Sequence, residues 1–209
     1  MSVFGKRDLN KAQTRLNVLQ AVYDLSQRTG FRDLKVKLIA DEAGITEMTF
    51  FNYFPRKEDV LLYMMGIWAV DLEALQLKTP LAGEPAIRRV FSHTADLVKR
   101  HPRLMVHFVA SMLTSEITSL PAEIEPADRY LLYPSLPDLH YGTIPNGNEM
   151  LLKHLKEMSP GNHNAMLQRL ASCFYGDMIV AHTAILDIAA LYSSSLDLIL
   201  PGEPAGSQE

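Results

Sequence analysis

An all-α chain is expected, and three observations carry that expectation. Apolar residues recur three and four positions apart over most of the length. The interruptions of that pattern fall at glycines and prolines. No stretch alternates apolar and polar residues at strand spacing, and no internal repeat is visible. At 209 residues, with 47% hydrophobic and 21% charged, the chain suits one or two domains with a sizeable core.

The helices follow in order. Thr14 to Arg28 carries Val18, Leu19, Val22, Tyr23 and Leu25 at helical spacing, with Thr14 expected as N-cap. Gly30 is expected to stop this helix by entering the left-handed conformation, and Phe31 and Leu34 open a short connection. Val36 to Ala43 places Val36, Ile39, Ala40 and Ala43 on one face, and Gly44 breaks it. Thr46 to Tyr53 forms the next helix, capped by Thr46 and stopped by Pro55, which disfavours helix at the residue before it. A fourth begins near Lys57 and carries Val60, Leu61, Met64, Ile67, Trp68 and Leu72. After the break at Pro80, Gly83 and Pro85, helix resumes over Ala86–Arg100, ends at His101-Pro102 and restarts over Arg103–Ile117.

Residues 119–147 differ. Pro121, Pro126, Pro134, Pro137 and Pro145, with Gly142 and Gly147, predict loop and short helical turns over a span long for a compact domain. Helices are then expected over Glu149–Met158, Asn162–Thr183 and Asp187–Leu200, the last with Asp187 as N-cap and Pro201-Gly202 as stop. Glu203–Glu209 is expected to be disordered.

Composition narrows the classes. No uninterrupted apolar run reaches the roughly 18 residues that suggest a bilayer span, and the first residues lack the apolar core of a signal peptide, so a cytoplasmic location away from membranes is expected. The one cysteine, Cys173, reads as a small buried apolar residue in a reducing compartment. His93, His101, His107, His140, His154, His163 and His182 form no His-x-x-x-His pair and no Cys/His cluster, so no metal is expected. With no G-x-S-x-G and no phosphate loop either, neither an enzyme nor a cofactor is expected. The formal charge of −4 is unevenly spread: residues 1–60 hold ten Lys/Arg against eight Asp/Glu, the remainder ten against sixteen. A small basic head on an acidic body fits contact with phosphates.

The informative stretch is Lys35 to Leu61. Two short amphipathic helices meet at Ala43-Gly44-Ile45, with Ile39, Ala40 and Ile45 placed to fix their angle. Such a pair can present its second helix to the DNA major groove; a helical hairpin inside any all-α protein has the same pattern.

Residues 15–62 resemble the TetR family of bacterial regulators. The resemblance is carried by Arg15, Val18-Leu19, Ala21, Gly30-Phe31, Val36, Ile39-Ala40, Ala43-Gly44-Ile45, Thr49-Phe50-Phe51, Tyr53-Phe54, Lys57-Glu58 and Leu61. It implies a helix-turn-helix DNA-binding domain over 1–56, a helical ligand-sensing and dimerising domain over 57–202, and a tail over 203–209. It further implies a repressor that binds a roughly palindromic double-stranded operator as a homodimer and is released by a small, largely apolar inducer. Thr49, Tyr53 and Lys57 occupy the family's phosphate-contacting positions, and Lys37 a position touching base or phosphate. Thr46, Glu47, Met48 and Asn52 lie nearest base edges. Glu47 suits cytosine N4, Asn52 adenine N6 and N7, and Met48 a thymine methyl. Two departures stand out. Lys35 replaces a usual Ser/Thr cap and gains reach toward a phosphate, and Phe51 replaces a frequent tyrosine.

In the C-terminal part, Leu167, Leu170, Phe174 and Met178, then Ile188, Leu191, Tyr192, Leu196 and Ile199, form stripes that suit a four-helix dimer interface. Ala171, Gly176, Ala181, Ala184 and Ala189 permit close approach. The same stripes suit a monomer core. A ligand pocket is expected among Trp68, Phe91, Leu104, Met105, His107, Phe108, Met112, Phe174, Asp177 and Met178, apolar walls with His107 and Asp177 as polar groups.

Overall fold

A helix satisfies its backbone polar groups within its own segment, and among the described residues every regular element is helical. The structure is a computed structural model that describes residues 4–114, 124–158 and 161–200. The expected tail 203–209, the last residues of the helix expected to reach Ile117, and residues 119–123 lie outside them. The chain divides into two compact units, Met1–Pro80 with Arg103–Asn146, and Leu81–Pro102 with Gly147–Glu209.

The first unit contains α1 (Lys6–Arg28), a 3-10 turn (Phe31–Asp33), α2 (Val36–Glu42), α3 (Glu47–Tyr53) and α4 (Asp59–Lys78). It also contains α6 (Pro102–Leu113), α7 (Pro126–Leu132) and α8 (Pro137–Tyr141). Helix α1 starts eight residues before the expected cap. Thr14 is inside it, its hydroxyl donating to the Asn10 carbonyl at 2.8 Å. The preceding stretch is rich in good helix formers, with Asp8 in the first turn where the helix dipole favours it. Gly30 does not take the expected left-handed conformation: its φ and ψ are −57° and 142°, and the helix ends one residue earlier at Thr29 in extended backbone.

Helix α4 is buried on all sides from Val60 through Val70, including Trp68. That explains its composition. By length and apolarity alone it could cross a membrane, despite the sequence expectation, yet 72% of its most apolar window is buried inside the protein. In the proline-rich segment, Pro126 and Pro137 stand at the first positions of α7 and α8, where the missing N–H costs nothing.

What fastens α7 is ionic. Asp128 is 0% exposed. It accepts from Arg15 Nε at 3.1 Å and Nη2 at 2.8 Å, from the Tyr63 hydroxyl at 2.9 Å, and from the Glu125 backbone N–H at 3.0 Å. Glu125 adds a contact to Arg15 Nη1 at 3.0 Å. Burial pulls the Arg15 pKa down, but the two carboxylates more than offset this and hold it above the usual arginine value. Burial first, then Asp128, pushes the Tyr63 phenol well up. The adjacent Arg129 donates to the carbonyls of Ile124, Leu139 and Gly142, so the segment from 124 to 142 is tied to itself as well as to α1 and α4. Removing one partner of such a network strands the other in the interior. Asp128→Ala is therefore expected to destabilise the first unit by about 3–5 kcal/mol, read as a lowered urea midpoint of Trp68 fluorescence.

The second unit packs α5 (Gly83–Arg100), α9 (Gly147–Glu157), α10 (His163–Ala184) and α11 (Ile188–Ile199). Its centre is aromatic. Phe91 meets Phe174 at 5.4 Å and Tyr192 at 4.9 Å edge to face, and the Tyr192 hydroxyl donates to the Phe174 carbonyl at 2.9 Å. On the rim, Arg88 bridges Glu84 and Asp197, and Lys99 pairs with Asp187 at 2.9 Å. The expected cap at Asp187 is present, accepting from the Ala189 N–H at 3.0 Å.

Helix α10 ends in a left-handed residue that is not glycine: Ile185 has φ 55° and ψ 48° and is 92% exposed. A β-branched residue is strained there, and so exposed a side chain contributes little packing. Ile185→Gly is expected to raise stability by about 1 kcal/mol, measured as a higher thermal midpoint; an unchanged or lower one would show that the side chain has a partner.

Candidate nucleic-acid interface

The angle between α2 and α3 is set at one turn. Gly44 has φ +71°, where a side chain is strained even though a Cβ would meet nothing. Its N–H reaches the Asp41 carbonyl at 3.2 Å and that of Ile45 the Ala40 carbonyl at 2.9 Å, which closes α2. Thr46 then caps α3, accepting from the Thr49 N–H at 3.1 Å. Ile39 and Ala40 of α2 are buried, as are Phe50 and Phe54, whose rings lie 5.7 Å apart. Phe54 continues onto Tyr63 of α4 at 5.6 Å. The inner side of α3 is thereby fixed to the core, and its outer side projects.

That outer side holds most of the residues expected at base edges. Thr46, Glu47 and Asn52 are exposed, and Met48 is 77% exposed. Thr49 and Tyr53 are half-buried one turn apart, and the Thr49 hydroxyl is already within 2.9 Å of that of Thr46. Lys35 and Lys37 are exposed; Lys35 stands at the start of α2 in extended backbone and gives no side-chain cap. Sequence reasoning assigned no contact to Phe51. The structure leaves it 47% exposed beside Met48, its ring edge-on to buried Phe50 at 5.5 Å. The clue in the sequence was its spacing, three residues after Met48 on one helical face.

Lys57, expected at a phosphate, has partners within the chain itself. Its ammonium donates to the carbonyls of Phe31, Arg32 and Leu34 at 2.9, 3.0 and 3.0 Å, and lies 5.0 Å from the centre of the Phe31 ring. An ammonium has three donors, and all three close the turn between α1 and α2. The same Phe31 ring meets His107 of α6 at 4.9 Å. Beside it, Arg56 pairs with Asp59 at 2.8 Å, a contact that raises the arginine pKa. Lys57→Met keeps the stem and removes the donors. It is expected to destabilise the DNA-free protein by about 2 kcal/mol, where a lysine reserved for phosphate would change melting by no more than about 0.5 kcal/mol.

The residues expected around a ligand are distributed over both units. In the first, Trp68, Leu104, Met105 and Phe108 are buried core, His107 is half-buried on Phe31, and Met112 is exposed. In the second, Phe91, Phe174 and Met178 are buried, and half-buried Asp177 keeps one carboxylate oxygen shielded with no hydrogen-bond partner. Of the residues expected at a dimer interface, Leu170, Phe174, Met178, Ile188 and Tyr192 are buried within the chain itself, and Leu167, Leu191 and Ile199 are half-buried. The stripes facing α5 and α9 contribute to the unit's own core. The large apolar side chains that α10, α11 and their connection leave exposed are Ile179, Val180, Ile185, Leu186 and Leu198.

Comparison with known proteins places this geometry. Residues 18–64 match the sequence pattern of the family described as bacterial regulatory proteins, tetR family. The HTH-type transcriptional regulator RutR of Escherichia coli K12 is 28% identical over 114 residues, and that of Shigella flexneri matches equally. The match covers 52% of this chain and 52% of either relative, so the chain spans about half the length of the curated relatives it matches. Among solved structures, a TetR transcriptional regulator from Rhodococcus sp. RHA1 superposes with a TM-score of 0.60 at 16% identity, covering 92% of this chain and 98% of the other. Thermus thermophilus FadR, a TetR-family transcriptional repressor in complex with lauroyl-CoA, gives 0.56 at 22% identity, covering 92% and 96%. Bacillus subtilis FadR in complex with stearoyl-CoA gives 0.57 at 18%, covering 90% and 99%. At these identities the likeness is one of fold.

Proposed function

We propose that this chain, whose residues 18–64 match the pattern of the tetR family of bacterial regulatory proteins, is a sequence-specific transcriptional repressor of that family acting in the cytoplasm. The observation that carries the reading is the capped, core-anchored α3 with its outer side exposed. A helix held this way enters a major groove without rearrangement. Lys35 and Lys37 supply positive charge for phosphates beside it.

The operator is roughly palindromic, read by a two-fold homodimer that brings a second α3 one helical turn along the duplex. Exposed Ile179, Val180, Leu186 and Leu198 are the surface for that self-association. Release is by a largely apolar small molecule. Two of the solved relatives were captured with lauroyl-CoA and stearoyl-CoA, which makes long-chain acyl thioesters the first inducers to try. A ligand of that kind lowers DNA affinity if it favours a dimer whose two reading helices no longer match successive grooves.

The test is fluorescence anisotropy of the full chain on DNA flanking its own gene, across a salt series with nonspecific competitor. Selective binding whose log affinity falls linearly with log salt is expected. Lys37→Ala and Tyr53→Phe should each weaken it; the first should also reduce the salt slope by about 1, and the second should leave the slope unchanged, since a phenol carries no charge. Added lauroyl-CoA should release the DNA. Failure to select any sequence, even from a random library, would overturn the regulator reading; selective binding indifferent to acyl-CoA would remove only that inducer class.

A further inference from the structure

We propose that α3 reads thymine C5-methyl groups through Met48 and Phe51, so that the operator half-site is rich in A·T pairs where this helix lies; the proposal rests on the DNA-binding reading above. The face that α3 presents is unusual for a groove reader. It carries no lysine or arginine, its one charge is the exposed Glu47, and its largest exposed side chains are apolar. Met48 and Phe51 stand three residues apart and Asn52 four from Met48, which puts all three on one side of the helix.

The floor of the major groove offers such a face few partners. Guanine shows two acceptors, O6 and N7, best met by arginine or lysine. Glu47 has no donor to give them when ionised and is repelled by them. Adenine N6 and cytosine N4 are donors that Glu47 and Asn52 can meet. The one apolar group on the groove floor is the C5-methyl of thymine. An exposed methionine and an exposed phenylalanine gain from burying that methyl, and gain nothing comparable from a G·C pair.

The two side chains differ in how they are held. The Phe51 ring is braced edge-on against Phe50, which is fully buried, so its position is set before DNA arrives. Met48 is unbranched and almost fully exposed and adapts to the step it meets. Charge supports the duplex as occupant: Lys35 and Lys37 on the neighbouring helix are exposed and suit the phosphate walls, while the reading face itself needs no cation. The absence of the tyrosine hydroxyl at position 51, a lost phosphate bond by resemblance, becomes a gained apolar contact.

The experiment alters the DNA and leaves the protein intact. A half-site is first selected from random double-stranded DNA with the full chain, and each of its thymines is then replaced by deoxyuridine, which pairs identically and lacks only the methyl. Affinity is expected to fall about four-fold per contacted methyl, the worth of one buried CH2 group. That sensitivity should vanish in Met48→Ala with Phe51→Ala, while the same variants keep their salt slope. A selected site bound equally well with thymine or deoxyuridine, or one dominated by guanines under α3, would overturn the proposal and leave the regulator reading standing. Selection of no sequence would overturn both and point instead to a protein partner for the same apolar face.

Discussion

The first unit depends on one buried carboxylate. Asp128 has no contact with water and satisfies four donors, two from Arg15 on α1, one from Tyr63 on α4 and one from the backbone at the start of α7. Neither the charge nor the phenol could sit at that depth alone. Together they join the proline-rich segment to the two helices that flank the helix-turn-helix. The centre ties α1 to α4 through Arg15 and Tyr63, and Tyr63 in turn packs on Phe54 at the end of α3.

The reading pair was legible in the sequence because its signals are local. Gly44 at the turn, Thr46 at the cap and Phe50 on the inner face each act within a few residues, and the structure places them as the spacing predicts. The ionic centre was not legible. Arg15 stands out by resemblance, but its partner lies 113 residues away in a stretch whose prolines suggest only loop. The intramolecular bonds of Lys57 were hidden for a related reason. A lysine at the start of a helix looks free in sequence, and only the fold brings three carbonyls of the preceding turn beneath it. Apolar residues occur on more than one side of α10 and α11, and periodicity alone cannot say which side meets α5 and α9.

The economy of cations at the interface follows from the same contacts. Lys57 and Arg15 are engaged inside the protein, and Arg56 is paired with Asp59. Lys35 and Lys37 beside α3 are exposed, while α3 itself is neutral to acidic. On the proposed reading, affinity from phosphates and discrimination among bases fall to adjacent helices, a division that general recognition of DNA already implies.

The position of Trp68 has an optical consequence. It is the chain's single tryptophan, and it is buried in α4 of the first unit. The aromatic centre of the second unit is built from Phe91, Phe174 and Tyr192. Excitation at the red edge of protein absorbance, where tyrosine and phenylalanine are silent, therefore illuminates one half of the molecule. Its emission is a built-in reporter of the reading half, while helical circular dichroism sums over both. Any divergence between the two signals on heating or on adding a small molecule separates events in one half from events in the other, without a label.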